Sequence, residues 1–332
     1  MAATTNNENV LEVKDLHTHF YVEDGEVRAV DGLTYSIRRG ESLALVGESA
    51  CGKSVSALSI MRLIPYPPGI IVSGEILFQG QDLLKVSESE MRHIRGNRIG
   101  MIFQEPMTSL NPVLTIERQL SESLELHRKL NKKDAKEESI KLLRLVGLPD
   151  AEKRVSDYPY QFSGGMQQRI MIAMALICNP DLLIADEPTT SVDVTVQAQL
   201  LELLDNLRSQ FGTAILIITH NLGVVARYAD RVNVMYAGRL VESAPTDVLY
   251  SKPQHPYTMG LLASVPRLDL PRNRKLSVID GLPPNLARLP KGCNFCTRCT
   301  YSIDRCLEEK PPLEKVGEEH YSACFRSGEL GK

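Results

Sequence analysis

An α/β fold with a largely parallel sheet, closed by a small Pro- and Cys-rich C-terminal domain, is what this 332-residue sequence predicts. Three observations carry it. Short apolar runs alternate with amphipathic helical ones over the first 250 residues or so. A glycine-rich G-x-x-x-x-G-K-S segment joins one apolar run to a helix-forming stretch. Finally, five of the seven cysteines fall inside the last forty residues.

The strand-like runs are "SLALVG" (42–47), "RIGMIFQ" (98–104), "DLLIAD" (181–186), "AILIITH" (214–220) and "RVNVMYAGRLVESA" (231–244), each largely apolar. Helical spacing of apolar residues marks "TIERQLSESLELHRKL", "KEESIKLLRLVGL", "SGGMQQRIMIAMALIC" and "VTVQAQLLELLDNLRSQF". After about residue 250 the chain turns Pro-rich and broken, as in "SKPQHPYTMGLL" and "DGLPPNLARLPKGC". The expected boundary therefore separates 1–250 from 251–332. No internal repeat is present.

With 43% apolar and 24% charged residues and a formal net charge of −3, the chain has an ordinary globular composition and no basic surplus for nucleic acid. "MAATTNNENVLEVKD" lacks a basic segment followed by an apolar one, so no secretion signal is expected and the protein should stay in the cytosol. The longest apolar run, "IMIAMALI" at 170–177, is far short of the roughly 20 residues that span a bilayer, which leaves only a peripheral membrane role.

The strongest chemical signal is Gly47-Glu48-Ser49-Ala50-Cys51-Gly52-Lys53-Ser54. Its backbone N–H groups suit phosphate oxygens, the following helix adds its positive end, Lys53 reaches the outer phosphates and the Ser54 hydroxyl ligates Mg²⁺. Ala50 would be strained if the backbone at that point of the loop needs a positive φ. Cys51, next to Lys53 and a helix N-terminus, is expected to have a lowered thiol pKa. A second signal is "LLIADEP", which delivers Asp186 to the Mg²⁺ shell and Glu187 to the attacking water at a strand's end.

Between these lies "YQFSGGMQQR", and Ser163-Gly164-Gly165-Met166-Gln167 resembles the signature segment of ABC ATPases. Gln104 in "IFQEP" resembles their Q-loop, Ser191-Val192-Asp193 their D-loop and His220 in "IITHN" their switch histidine. "VRAVDGLTYSIRRGESLALVGES", "FQEPMTSLNP", "DEPTTSVDVTVQAQ" and the tail from "QHPYTMGLLASVPRLD" to "GLPPNLARLPKGC" narrow the likeness to importer ATPases for dipeptides, oligopeptides and nickel. The resemblance implies a P-loop NTPase fold of ABC type, with a mixed sheet core and a helical subdomain at about 105–163 that grips a membrane subunit. It implies ATP as substrate, with Mg²⁺ held by Ser54, Gln104 and Asp186, and catalysis by Glu187, Gln104 and His220. Phe20, or less closely Tyr21, would stack on adenine, and the signature and Asp193 would meet a nucleotide held by a second ATPase chain, a sister one by the resemblance, in a head-to-tail dimer. Two transmembrane permease subunits and, indirectly, an extracytoplasmic solute-binding protein complete the implied assembly at the cytoplasmic face of the membrane. "EPMTSLNP" would sense the membrane partner, while the charge run "NKKDAKEE" reads as a solvated face. The rival class is a soluble metal-cluster ABC ATPase acting on nucleic acid or ribosomes, whose chains carry two ATPase domains where this one has a single P-loop.

"KGCNFCTRCTYSIDRC" holds Cys293, Cys296, Cys299 and Cys306, and Cys324 follows. Four thiolates in a loop-rich region suit a [4Fe–4S] cluster or a tetrahedral zinc. In the family the cysteine cluster stands at the positions of Cys293, Cys299, Cys306 and Cys324; Cys296 departs from that pattern and opens a ferredoxin-like alternative of Cys293, Cys296, Cys299 and Cys306. A short Pro-rich tail is expected to have little core of its own and to need such a staple.

Overall fold

The computed structural model describes residues 9–23, 25–104, 109–189, 194–265 and 278–330. In chain order its elements are β1 (Asn9–Val22), β2 (Gly25–Arg38), β3 (Ser42–Val46), α1 (Lys53–Ile60), β4 (Gly69–Phe78), β5 (Gln81–Asp82), α2 (Glu88–Ile94) and β6 (Ile99–Ile102). Then come α3 (Ile116–Arg128), α4 (Lys132–Leu145), α5 (Ala151–Arg154), α6 (Gly164–Leu176), β7 (Leu182–Asp186), α7 (Val194–Phe211), β8 (Ala214–Thr219) and α8 (Leu222–Tyr228). The remainder is β9 (Arg231–Tyr236), β10 (Arg239–Pro245), α9 (Thr246–Ser251), α10 (Pro256–Ala263), α11 (Asp304–Glu308), β11 (Glu314–Gly317) and β12 (His320–Ser322). The chain forms two compact units, Met1–Leu11 with Ile37–Glu41 and Phe78–Ile217, and Glu12–Ser36 with Ser42–Leu77 and Ile218–Lys332.

In the first unit β6 and β7 pair in parallel, Ile99 opposite Leu182 and Ile102 opposite Ala185. Both are apolar on their two faces, as strands covered by helices must be. The helices begin where side chains satisfy the free N–H groups of the first turn: Thr115 accepts from the Arg118 N–H and Asn131 from that of Asp134. Ile116, Leu120 and Leu124 bury one stripe of α3, at the four-residue spacing of a single helix face. The charge run at 131–138 lies on a mostly exposed surface, Lys136 pairing with Glu117 at 2.5 Å. Of "EPMTSLNP", residues 105–108 lie outside the described residues. The stretch after them is pinned by Gln119, whose Nε2 donates to the Asn111 and Leu114 carbonyls at 3.0 Å each.

In the second unit β3 runs parallel to β9, which pairs antiparallel with β10, and β10 pairs antiparallel with β12. The sheet is thus mixed. The 231–244 run is not one strand but two. Ala237 (φ 46°) and Gly238 (φ 81°) form a two-residue turn that sets Tyr236 opposite Arg239, and two consecutive positive φ angles fold a hairpin. A further sheet in the order β2-β1-β4 precedes the glycine-rich loop in the chain and again follows it.

The tail does not lack a core. Phe295 (3% exposed) enters one hydrophobic cluster with Val46 of β3, Val232 and Tyr236 of β9, and Tyr257 of α10. Its ring meets Tyr236 edge-on at 5.2 Å and Tyr257 at 5.4 Å. The expectation of a poorly packed appendage is corrected on this point: the tail shares the apolar face of a sheet that the rest of the unit builds.

Candidate functional site

The phosphate-loop residues lie between β3 and α1. A Cβ on Gly47 would fall 2.2 Å from the Met235 carbonyl oxygen, and one on Gly52 would fall 2.0 Å from that of Ala29. Neighbouring backbone therefore fills the space a side chain would need. Gly52 also takes φ 103° as it opens α1, a conformation that costs glycine nothing. Ala50 does adopt φ 60°, so the strain expected there is present, on a methyl that points to solvent. Lys53 Nζ donates to the Gly47 and Glu48 carbonyls at 2.8 and 2.9 Å, curling over its own loop.

Cys51 corrects an expectation. Its sulfur is buried and tucked behind Gly47, and burial pushes the thiol pKa up, outweighing the Lys53 ammonium and the hydrogen bonds from Lys53. It is not an activated thiolate.

The same unit holds His220, at the end of β8, where Asn221 starts α8 by accepting the Gly223 and Val224 N–H groups. A cavity of about 440 Å³ is lined by Gly47, Glu48, Ser49 and His220 together with Leu261, Val278 and Ile279. At the end of β1, Tyr21 is 57% exposed, its hydroxyl donating to Glu26 at 3.2 Å. Phe20 is half-buried, with its ring edge against the backbone of Gly69.

The first unit carries the other group. Asp186, 5% exposed, ends β7, and Glu187 follows with φ 46°. Gln104 Nε2 donates to Glu187 Oε2 at 3.1 Å, so two residues 83 apart in sequence meet. Ser163 opens α6, Gly164 faces open space, and Gly165 packs on Val196. Gln167 is 8% exposed and spends its amide on the Pro159 and Phe162 carbonyls, a brace for the loop before α6. Met166 sulfur accepts from Arg154. Gln168, which the motif reading passed over, donates to the Pro188 carbonyl and ties the signature helix to the turn after Glu187. Ser191, Val192 and Asp193 lie outside the described residues.

Among the cysteines, Cys296 and Cys306 are buried and Cys293, Cys299 and Cys324 partly so. Burial pushes Cys293 up to about 12, with the thiols of Cys306, Cys296 and Cys299 adding to the shift. Burial likewise raises Cys296, Cys299 and Cys324, and Cys306 acts on each of them. Cys306 belongs to both ligand sets, and its carbonyl accepts the Cys293 N–H at 2.8 Å. Tetrahedral zinc at the usual 2.3 Å Zn–S distance holds sulfurs roughly 3.8 Å apart. Among the described residues the one trio of potential ligands within 4.8 Å of one another is His17, His19 and Asp31, not a cysteine trio. Asp31 there already pairs with Arg239 and Lys310, each at 3.1 Å.

Two residues of the C-terminal segment reach the phosphate loop, and neither carries a sequence signal. The Glu48 N–H donates to the Tyr257 hydroxyl at 2.8 Å, and Arg298 grips the Glu48 carboxylate with two nitrogens, at 2.7 and 3.0 Å.

Residues 30–190 match the family profile described as ABC transporter, and residues 241–306 match the one described as oligopeptide/dipeptide transporter, C-terminal region. The chain is 53% identical over 312 residues to the oligopeptide transport ATP-binding protein OppD of Bacillus subtilis, covering 94% of this chain and 87% of that protein. It is 50% identical over 318 residues to the dipeptide transport ATP-binding protein DppD of the same organism, covering 96% and 95%. Among solved structures, cbiO1 of Clostridium perfringens, part of the ABC transporter complex cbiONQ, aligns with TM-score 0.62 at 26% identity over 74% of this chain and 91% of that one. The bacterial ABC transporter cassette MJ0796 aligns with TM-score 0.64 at 24% identity over 71% and 98%, a likeness of fold.

Proposed function

Because this chain belongs to the family of ATP-binding subunits of oligopeptide and dipeptide ABC transporters, we propose that it hydrolyses ATP to drive import of a peptide-class solute. The observation that carries the reading is the loop from Gly47 to Ser54, where neighbouring carbonyls leave room for glycine alone and the chain presents its N–H groups at the start of α1. In this reading residues 1–250 form the ATPase domain, about 105–163 its helical subdomain and 251–332 the extension. The rival reading on nucleic acid or ribosomes finds no support in a net charge of −3 or in the peptide-transport relatives.

Lys53 neutralises the outer phosphates and the loop N–H groups orient them. Phe20 or its neighbour Tyr21 stacks on the adenine. Ser54, Gln104 and Asp186 hold Mg²⁺, which when bound draws charge from the β- and γ-phosphate oxygens. Glu187 accepts the proton of the attacking water, and Gln104, already hydrogen-bonded to it, keeps that carboxylate in place. His220 contacts the γ-phosphate. Ser163 to Gln167 and Asp193 face the nucleotide of a second ATPase chain in a head-to-tail dimer, docked on two permease subunits at the cytoplasmic face of the membrane and fed by a solute-binding protein. No described helix is long and apolar enough to cross a membrane.

Cys293, Cys299, Cys306 and Cys324 hold a structural [4Fe–4S] cluster in this reading, with Cys296 as the alternative ligand and zinc as the second choice of metal. The electrostatic influence of the Cys306 thiol on the other four, and the backbone bonds Cys293 N–H to the Cys306 carbonyl at 2.8 Å and Cys296 N–H to the Cys293 carbonyl at 3.1 Å, support it. Such a cluster ties the tail together and takes no part in phosphoryl transfer.

The test of the ATPase reading is Glu187→Gln in the assembled transporter. It is expected to keep Mg-ATP binding and cut turnover by roughly 10²-fold, the scale of a lost general base. Lys53→Ala is expected to abolish binding. Wild-type turnover in Glu187→Gln moves the base elsewhere.

A further inference from the structure

A glutamate inside a phosphate-binding loop is an electrostatic liability, since its carboxylate repels the triphosphate that the loop exists to hold. Glu48 occupies that position. Its carboxylate is met by Arg298, 250 residues later, Nη1 donating to Oε2 at 2.7 Å and Nη2 to Oε1 at 3.0 Å. This is the two-pronged arrangement in which a planar guanidinium fixes both the place and the charge of a carboxylate.

The arginine is itself immobilised. Its side chain is 4% exposed. Nε donates to the Asp280 carbonyl at 3.0 Å, Nη1 also to the Tyr236 hydroxyl at 3.3 Å, and Nη2 also to the Ile279 carbonyl at 3.3 Å. Each of the five N–H groups a guanidinium owns thus has an acceptor. Arg298 ends the short 3₁₀ turn Cys296–Arg298, immediately before Cys299, so the cysteine-rich turn sets where the guanidinium stands. The Glu48 backbone is held from the same side by Tyr257.

We propose that Arg298 is a positioning residue for nucleotide binding: it neutralises Glu48 and fixes the first turn of the phosphate loop, so that the C-terminal segment determines this subunit's affinity for Mg-ATP. The proposal rests on the reading of Gly47 to Ser54 as the nucleotide site. Arg298 does not touch the reacting atoms. Its effect falls on affinity and not on the chemical step, and it depends on the charge left behind on Glu48.

Titration calorimetry of Mg-ATP on the full chain tests this, with wild type as the control; wild type that fails to bind refutes the nucleotide site and leaves Arg298 a structural tie. Arg298→Gln is expected to raise the Kd on the order of tenfold, the penalty for leaving a carboxylate unpaired beside the phosphates. The double variant Glu48→Gln/Arg298→Gln, with no charge on either side, is expected to return the Kd to within about threefold of wild type. A tie that only holds the tail in place predicts the opposite, a double variant no better than the single one. Arg298→Lys, which keeps the charge and loses the fork, serves where Arg298→Gln does not fold, and is expected to raise the Kd by a few-fold. Wild-type affinity in Arg298→Gln or Arg298→Lys, or a double variant as weak as Arg298→Gln, overturns the proposal.

Discussion

His255 makes the C-terminal segment acid-labile by a predictable amount. The imidazole is 2% exposed and caps α10, its Nδ1 accepting the Tyr257 N–H at 3.1 Å, while the His255 backbone N–H donates to Glu242 Oε2 at 3.0 Å. Burial lowers its pKa to about 4 from the ordinary 6.5, with the Glu242 carboxylate opposing part of that shift. The folded chain therefore binds this proton only near pH 4, whereas the unfolded chain binds it near 6.5, and between those values the unfolded state holds more protons. The stability due to neutral His255 is complete above pH 6.5 and is lost as pH falls through that window. The whole effect is about 3 kcal/mol, and about 2 kcal/mol of it is gone by pH 5. His255→Asn supplies a cap oxygen for the Tyr257 N–H but has no proton to gain. Urea unfolding of both proteins at pH 7 and pH 5 should show wild type losing about 2 kcal/mol more than the variant, since the rest of the chain is common to both. Equal losses in the two proteins refute the reasoning.

Gly52→Ala is expected to destabilise the second unit by about 3 kcal/mol and to abolish Mg-ATP binding, because the new methyl meets the Ala29 carbonyl at 2.0 Å; thermal melts and calorimetry read the two effects. Cys51, with its thiol pushed up by burial, should resist iodoacetamide at pH 7.5 in the folded chain and react in urea, and mass spectrometry of the loop peptide showing native alkylation contradicts this. Protein purified without oxygen should carry about four irons per chain; Cys306→Ser should strip them, and Cys296→Ser should leave them if Cys324 is the fourth ligand.

The chemistry was most legible where it is contiguous. Gly47 to Ser54 declares itself because one short loop supplies the glycines, the lysine and the hydroxyl, and the strand before it and helix after it are visible in the same window. Glu187 was equally readable, but its hydrogen bond to Gln104 rests on the pairing of β6 with β7, which no local pattern encodes. The hairpin at 231–244 was hidden because Ala-Gly is a weaker turn signal than Asn-Gly and the strands on both sides are apolar. Arg298 could not be found from the sequence at all: an arginine between two cysteines reads as solvent-facing until Phe295 seats the segment in the core of the second unit. Cys51 misled for a related reason, since proximity to Lys53 in sequence says nothing of which way the sulfur turns.

The hairpin of β11 and β12 has a consequence for the behaviour of the protein in a crowded cell. β12 lies along β10, and β11 becomes the outermost strand of its sheet. An exposed edge is a template on which another chain can add a strand. This one is a poor template: it is four residues long, fully exposed, carries Glu314 and Lys315, and breaks register between Lys315 and Gly317. The last strand pair of the described chain thus covers the edge of β10 with a short, charged and irregular one, which disfavours the addition of a further strand from another copy.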